Sequence, residues 1–375
     1  MAASEAPGAR LGVLDGLRGV AVLLVVWYHA WEISWLAPWP WLTFVPATGF
    51  IGVHLFFFLS GFVIVYPFVR STAAGTQPPG WGDFAWRRFV KIVPSYVLSI
   101  AVAYALGYAQ AQPNASLVPD LVTHLLFIHT WFPLRYGTID GVLWTLAVEV
   151  EFYLIFPVLW WSFRRRPWLT AAAMIAIAGV WRAALEQCCL ATLFTQWSEN
   201  LPGYLDLFAF GMLSAYAYVR FGNVLRARVR YAGPVVAIAG VVLLASLMEN
   251  LYAYGRHDLW SAVWQVDRRP LIGASFALVA LGWLVSPRWW QRLLDNVPLR
   301  FLAAISYNLY LYHQIVAREL LAHRIPPYAG DPHRDAGWRL RYTEAAFALS
   351  IAEAAFVTYC FERPLLRLQP PRLRR

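Results

Sequence analysis

The sequence predicts an all-α fold, a polytopic transmembrane helical bundle of about ten spans, and three observations predict it. Hydrophobic residues make up 59% of the 375 and charged residues only 14%, too apolar a balance for a water-soluble chain of this size. Apolar runs of about 20 residues, the length that crosses a bilayer, recur along the whole chain. Basic residues fall in short clusters between those runs, where topogenic charge belongs.

The first span, about 15–35, ends in the Trp-rich "WEISWLAPWPW", whose Trp31, Trp35, Trp39 and Trp41 suit an interfacial anchor. It lacks a small-residue cleavage site and is read as a retained span rather than a signal peptide. The second, about 48–69, stops at Arg70, and the third, about 92–111, follows the basic "RRFVK". The stretch 117–132 is short and holds Pro119, Asp120, His124 and His129, so it is read as re-entrant or interfacial. Spans four and five, about 142–162 and 168–186, flank the "RRR" of 164–166. Five more follow at about 201–219, 232–250, 270–286, 300–318 and 343–361.

With the N-terminus inside, the inner face collects 21 of the 31 basic residues, from Arg10 and Arg18 to Arg372, Arg374 and Arg375. Both termini are therefore expected to be cytoplasmic, and the alternation works only if 117–132 does not cross. The whole chain, 1–375, is read as a single integral-membrane domain, its membrane unit covering about 11–367 between short tails. The formal charge of +10 does not point to nucleic acid, because no nucleic-acid motif accompanies the basic clusters. Three cysteines, Cys188, Cys189 and Cys360, show no metal-type spacing, so neither a disulfide framework nor a metal is expected.

Ionisable residues inside a span are costly and usually functional or paired. Counted at about 1.5 Å per residue from the nearest inner Arg, His29 lies ~17 Å in, His54 ~24 Å, Glu149 ~23 Å and His313 ~20 Å. That similarity predicts one shared polar cavity. Glu151 sits about 200° round the helix from Glu149 and is not assigned to it. Imidazoles with a carboxylate suit acyl transfer, where the imidazole takes the proton of an acceptor hydroxyl, and equally a proton relay in a pump. Arg18, just inside an apolar span, and the cluster Arg87, Arg88 and Lys91 suit the phosphates of a donor on the inner side.

Six ordered motifs then resemble one family, the integral-membrane acyltransferase-three proteins. "LDGLRGVAVLLVVWYHA" resembles the family's first-span signature, an Arg or Lys followed after ten residues by His, here Arg18 and His29. "GVHLFFFLSGFVI" (52–64), "RRFVKIVPSY" (87–96), "LWTLAVEVEFYLIFP" (143–157), "SYNLYLYH" (306–313) and "FERPLLR" (361–367) resemble the others. Two positions depart from the pattern: His54 stands where Asp is common, and Lys91 where Arg is common. The resemblance implies O-acylation of sugars in bacterial envelope glycans or of secreted metabolites such as macrolides. The donor would be cytoplasmic acyl-CoA, usually acetyl-CoA, with no metal.

In that reading His29 is the general base or a transient acyl carrier and Glu149 its support, while Arg18, Arg87, Arg88 and Lys91 grip the donor. Asp15, His54, Trp144, Tyr310 and His313 are put forward as substrate-binding. The implied partners are acyl-CoA, a sugar-containing acceptor and the lipid bilayer, at a bacterial inner membrane. The rival reading is a transporter or flippase of a lipid-linked sugar, which the lack of a visible internal repeat weakens.

Overall fold

The computed structural model describes residues 11–37, 39–108, 116–189, 196–255 and 261–367. Arg10, Arg372, Arg374 and Arg375 of the expected inner face lie outside them. The described residues are helical with no strand, and ten of the helices have 20 residues or more. These are α1 (Gly12–Ser34), α2 (Ile51–Ala73) and α3 (Trp81–Ala105), then, after the short α4 (Leu117–Leu125), α5 (Trp144–Phe163) and α6 (Pro167–Cys188). There follow α7 (Leu201–Val229), α8 (Gly233–Gly255), α9 (Ser261–Val285), α10 (Val297–Ala322) and α11 (Ala336–Phe356). Each expected span has its helix, so the chain is a polytopic membrane bundle.

Eight of these helices, the last running on to Arg367, are long and apolar enough to cross a membrane by composition. The other two, α7 and α10, carry Asp206 in one and Asn308, His313 and Gln314 in the other. Both pack inside the bundle, α7 on α2 and α10 on α1, and their polar groups face neighbouring helices instead of lipid. The lipid-facing surface is apolar, as Leu154, Val158, Val180 and Val235 show by standing exposed on their helices. Helix α4 has nine residues and is followed by a 3₁₀ turn at His129–Trp131. At about 1.5 Å per residue it cannot cross a ~30 Å core, which agrees with a non-crossing segment.

Small residues bring the central helices together, as membrane packing requires. A Cβ on Gly61 of α2 would lie 2.3 Å from the Phe208 carbonyl oxygen, and one on Gly211 of α7 would lie 2.0 Å from that of Phe58. The same contacts fix relative depth. Gly16 and Gly19 of α1 abut the Leu294 and Leu299 carbonyls, so α10 starts level with the beginning of α1 and runs beside it. Gly49 and Gly52 abut the Leu24 and Ala21 carbonyls, so α2 starts level with the middle of α1. At the C-terminal end, α11 continues through a π turn, Val357–Glu362, into a last helical turn, Arg363–Arg367.

Candidate active site

The predicted residues fall into three groups, not one. The first surrounds a cavity of about 750 Å³ where the start of α1, the end of α2 and the start of α3 meet. Asp15, Arg18, Arg70, Arg87 and Arg88 line it, with Phe62, Pro67 and Phe84 as apolar wall. Arg88 lies over the rings of Phe84 and Tyr153, at 5.8 Å and 5.5 Å, and its buried Nε has no hydrogen-bond partner. Four guanidinium forks around a roomy hollow, one with an unsatisfied buried donor, fit the phosphates of a nucleotide-bearing donor. Lys91, predicted to join them, is paired with an acid: its Nζ donates to Glu362 at 2.5 Å and lies 5.3 Å from the centroid of the Tyr307 ring. Glu362 also accepts from Asn308, which donates to Thr358 as well, so the π turn closes the C-terminal motif onto α3 and α10.

Arg18 and Ser60 line this cavity and also a narrower chamber of about 50 Å³ further in. The chamber is closed by Phe57, Thr145, Glu149, Tyr307 and Tyr310. Glu149 accepts from the Ser60 hydroxyl at 2.8 Å and from the Tyr153 hydroxyl one turn along its own helix. A carboxylate so held beside Arg18 belongs to the Arg-rich side of the bundle.

The second group is built on α1 and α10. His29 and His313 have ring centroids 5.0 Å apart, and His29 Nδ1 lies 2.7 Å from Glu32 Oε2. The Gln314 amide is 3.3 Å from the same nitrogen. His313 Nδ1 donates to the Leu309 and Tyr310 carbonyls, at 3.0 Å and 2.8 Å, which leaves its buried Nε2 without a partner. The turn before α5 adds Asp140, whose carboxyl burial raises to about 6, with the charges of Arg318 and His29 opposing. Tyr310 links the two levels: it lines the chamber, receives the Thr145 hydroxyl at 3.0 Å, and its ring lies 5.8 Å from that of His313.

The third group holds His54 and Trp144, which meet on the ring of Tyr204 with centroid separations of 5.6 Å each. Tyr204 carries the Arg269 guanidinium 4.1 Å from its own centroid. Arg182 pairs with Asp206 at 2.8 Å, and both arginines donate to the Gly203 carbonyl. These buried charges were not singled out from the sequence, although an Arg in one apolar run and an Asp in the next are the signal for such a pair.

The expectation of four ionisable groups at one depth is thus corrected to two, His29 and His313. Counting from the nearest Arg assumes that helix ends share a plane. Because Gly52 abuts the Ala21 carbonyl, the backbone at His54 lies inward of that at His29, and its ring meets Tyr204 instead of the imidazole pair. Glu149 likewise shares its chamber with Arg18, near the start of α1. Four further residues that sequence reasoning missed, Glu32, Ser60, Tyr153 and Gln314, bond to ones it found.

Comparison with known proteins agrees with this chemistry. The Acyl_transf_3 family, described as an acyltransferase domain, matches residues 11–328. Peptidoglycan O-acetyltransferase OatA of Listeria monocytogenes is 25% identical over 80% of this chain, which spans about half (48%) of that protein. Acyltransferase MdmB of Streptomyces mycarofaciens is 27% identical over 82% of this chain and 79% of its own length. Protein 2 in the picA locus of Rhizobium radiobacter is 33% identical over 158 residues, 38% of this chain and 76% of that protein. No solved structure matches the chain significantly. A match over most of the sequence, on a bundle whose helices cross a membrane, makes this chain a member of the Acyl_transf_3 family of acyltransferases.

Proposed function

We propose that this membrane acyltransferase moves a short acyl group from acyl-CoA to a sugar hydroxyl of an envelope glycan or of a secreted glycosylated metabolite. The observation that carries the reading is the continuity from the four-Arg cavity through the Arg18–Ser60 chamber to Tyr310, His313 and His29. Arg18, Arg87 and Arg88 would hold the donor's phosphates, and the narrow chamber favours an acyl group as small as acetyl. Bound acyl-CoA supplies a thioester carbonyl. His29 Nε2 takes the proton of the acceptor hydroxyl as the new C–O bond forms, and returns it to the sulfur as the C–S bond breaks. Glu149, on the donor side, holds Ser60 and Tyr153 around the chamber and offsets the charge of Arg18. Trp144 and His54, against Tyr204, form a wall for the acceptor.

Arginines from five helix ends gather on one face of the bundle, around the cavities at the start of α1. By the positive-inside rule we read that face as cytoplasmic, the two termini as cytoplasmic with it, and the membrane as a bacterial inner membrane. Family membership favours the enzyme over a lipid-linked sugar transporter. The deciding experiment incubates detergent-purified protein with acetyl-CoA and envelope glycan fragments, with no ion gradient. Free CoA and an acetylated glycan are the expected products. Consumption of no acyl-CoA over a panel of glycan and macrolide acceptors would refute the reading.

A further inference from the structure

A second large cavity opens on the same Arg-rich face, on the other side of the start of α1. It measures about 600 Å³ and is lined by the end of α7 and the link between α9 and α10. Leu11 borders both this hollow and the donor cavity, so the beginning of α1 divides them. Four arginines, Arg226, Arg288, Arg292 and Arg300, face a single acid, Asp295. Arg300 Nε takes that acid at 2.6 Å, and Arg226 donates to the Tyr218 hydroxyl at 3.0 Å. Arg288 and Arg292 are exposed and have no ion pair among the described residues.

The link that carries them is a fixed piece of structure. Gln291 donates to the Leu284 and Ser286 carbonyls, and Trp283 donates to the Trp290 carbonyl at 3.2 Å. Its apolar side chains point outward: Trp289 is 60% exposed, Leu293 56% and Val297 76%. Exposed Trp and Leu beside a row of Arg is the pattern of a segment lying at the level of lipid headgroups, with its rings in the interface. Guanidinium forks on such a segment are matched to a phosphate, whose two non-bridging oxygens share the charge and accept in parallel.

We infer that this cavity holds the phosphate headgroup of an anionic phospholipid, with Arg288 and Arg292 as its principal ligands. Basic hollows between transmembrane helices on a positively charged face take such headgroups. The apolar rim of Trp289, Leu293 and Val297 would carry the lipid's first methylenes, which a soluble phosphate could not use. The site is separate from the donor cavity and does not depend on the reaction proposed above.

Native mass spectrometry of the full chain in detergent, titrated with phosphatidylglycerol or phosphatidylcholine, tests this. Phosphatidylglycerol should be retained in preference to phosphatidylcholine. The Arg288→Ala, Arg292→Ala double variant should weaken that retention about 30-fold, taking each surface Arg at its usual worth. The charge-matched pair Arg164→Ala, Arg165→Ala, on another basic link, should leave it unchanged. Adenosine 3′,5′-bisphosphate and inorganic pyrophosphate, as soluble phosphates, should not displace the lipid. Equal retention of the two lipids, an equal loss in the control pair, an unaffected double variant, or displacement by either soluble phosphate would each overturn the inference.

Discussion

Glu32 stands one turn beyond His29 on α1, its Oε2 2.7 Å from the imidazole Nδ1. A carboxylate can only accept, so this pairing calls for a proton on Nδ1 and, in the neutral ring, leaves the lone pair on Nε2, the tautomer a general base needs. Replacing Glu32 with Ala should therefore cut kcat about 100-fold and move the acidic limb of the pH–rate profile. Glu32→Gln, which keeps an acceptor but not the charge, should fall between. If the Ala variant kept the wild-type profile at every pH, Glu32 would be only a surface partner.

The two imidazoles 5.0 Å apart have different surroundings and should respond differently. His29→Ala removes the proposed base and should lower turnover by about 10²–10⁴-fold with unchanged membrane insertion. His313→Gln keeps a side-chain polar group near the backbone acceptors and should cost about tenfold. Acetyl transfer by purified variants, with membrane yield as the control, separates the two. A fully active His29→Ala protein would exclude both proposed roles of that imidazole.

Arg18 and Arg88 line the same cavity, and Arg88 also covers the Tyr153 ring. Loss of a charge-assisted contact to a phosphate is worth about 1.5–3 kcal/mol, so Arg88→Ala should raise KM for acyl-CoA by at least tenfold while kcat changes little. Lys91→Ala should behave otherwise, because it breaks the Glu362 pair and so weakens the fold before it weakens donor binding. Donor-concentration series and melting curves for both variants check the contrast. A KM effect in Lys91→Ala without a change in Tm would return that residue to the donor site.

Much of this architecture was legible because lipid leaves the chain few choices. A run of apolar residues must close its backbone bonds internally, and each predicted span became a helix. The ends were less legible: α3 begins at Trp81 and not near 92, and α7 runs to Val229 and not 219. Helices continue into water wherever the residues allow, so the Arg-rich turns of 220–229 stay helical past the apolar stretch. The site was legible in its residues but not in its grouping. Which helix starts level with which depends on close contacts such as Gly52 with Ala21, and no count along one span contains them.

The reciprocal glycines of α2 and α7 carry a stability prediction. A side chain on Gly211 meets backbone, the Phe58 carbonyl, and nothing flexible can move aside. Gly211→Val should force the two helices apart at a cost of about 1–3 kcal/mol or more and lower the melting temperature in detergent. Gly179, with open space around its Cβ position, is the control, and Gly179→Ala should be neutral. Equal melting temperatures for the Val variant and the wild type would show that the helices are not in close contact.

Asp140 makes the folded state sensitive to pH. Its carboxyl is buried, one oxygen has no hydrogen-bond partner, and burial raises it from 3.8 to about 6. A raised carboxyl binds its proton more tightly folded than unfolded, so its contribution is complete below the unfolded value and is lost as pH climbs through the folded one. Stability should therefore fall by about 2 kcal/mol between pH 4 and pH 6.5. Asp140→Asn, neutral throughout, should flatten that slope and melt higher than the wild type at pH 7.5. Melting curves of both proteins across this range decide it: a wild type whose Tm rises from pH 4 to 6.5 in parallel with the Asn variant would mean that the carboxyl is charged and satisfied in the fold. Since Asp140 lies in the field of both His29 and Arg318, the same variant should also shift the pH dependence of turnover, and that shift would tie the turn before α5 to the imidazole pair.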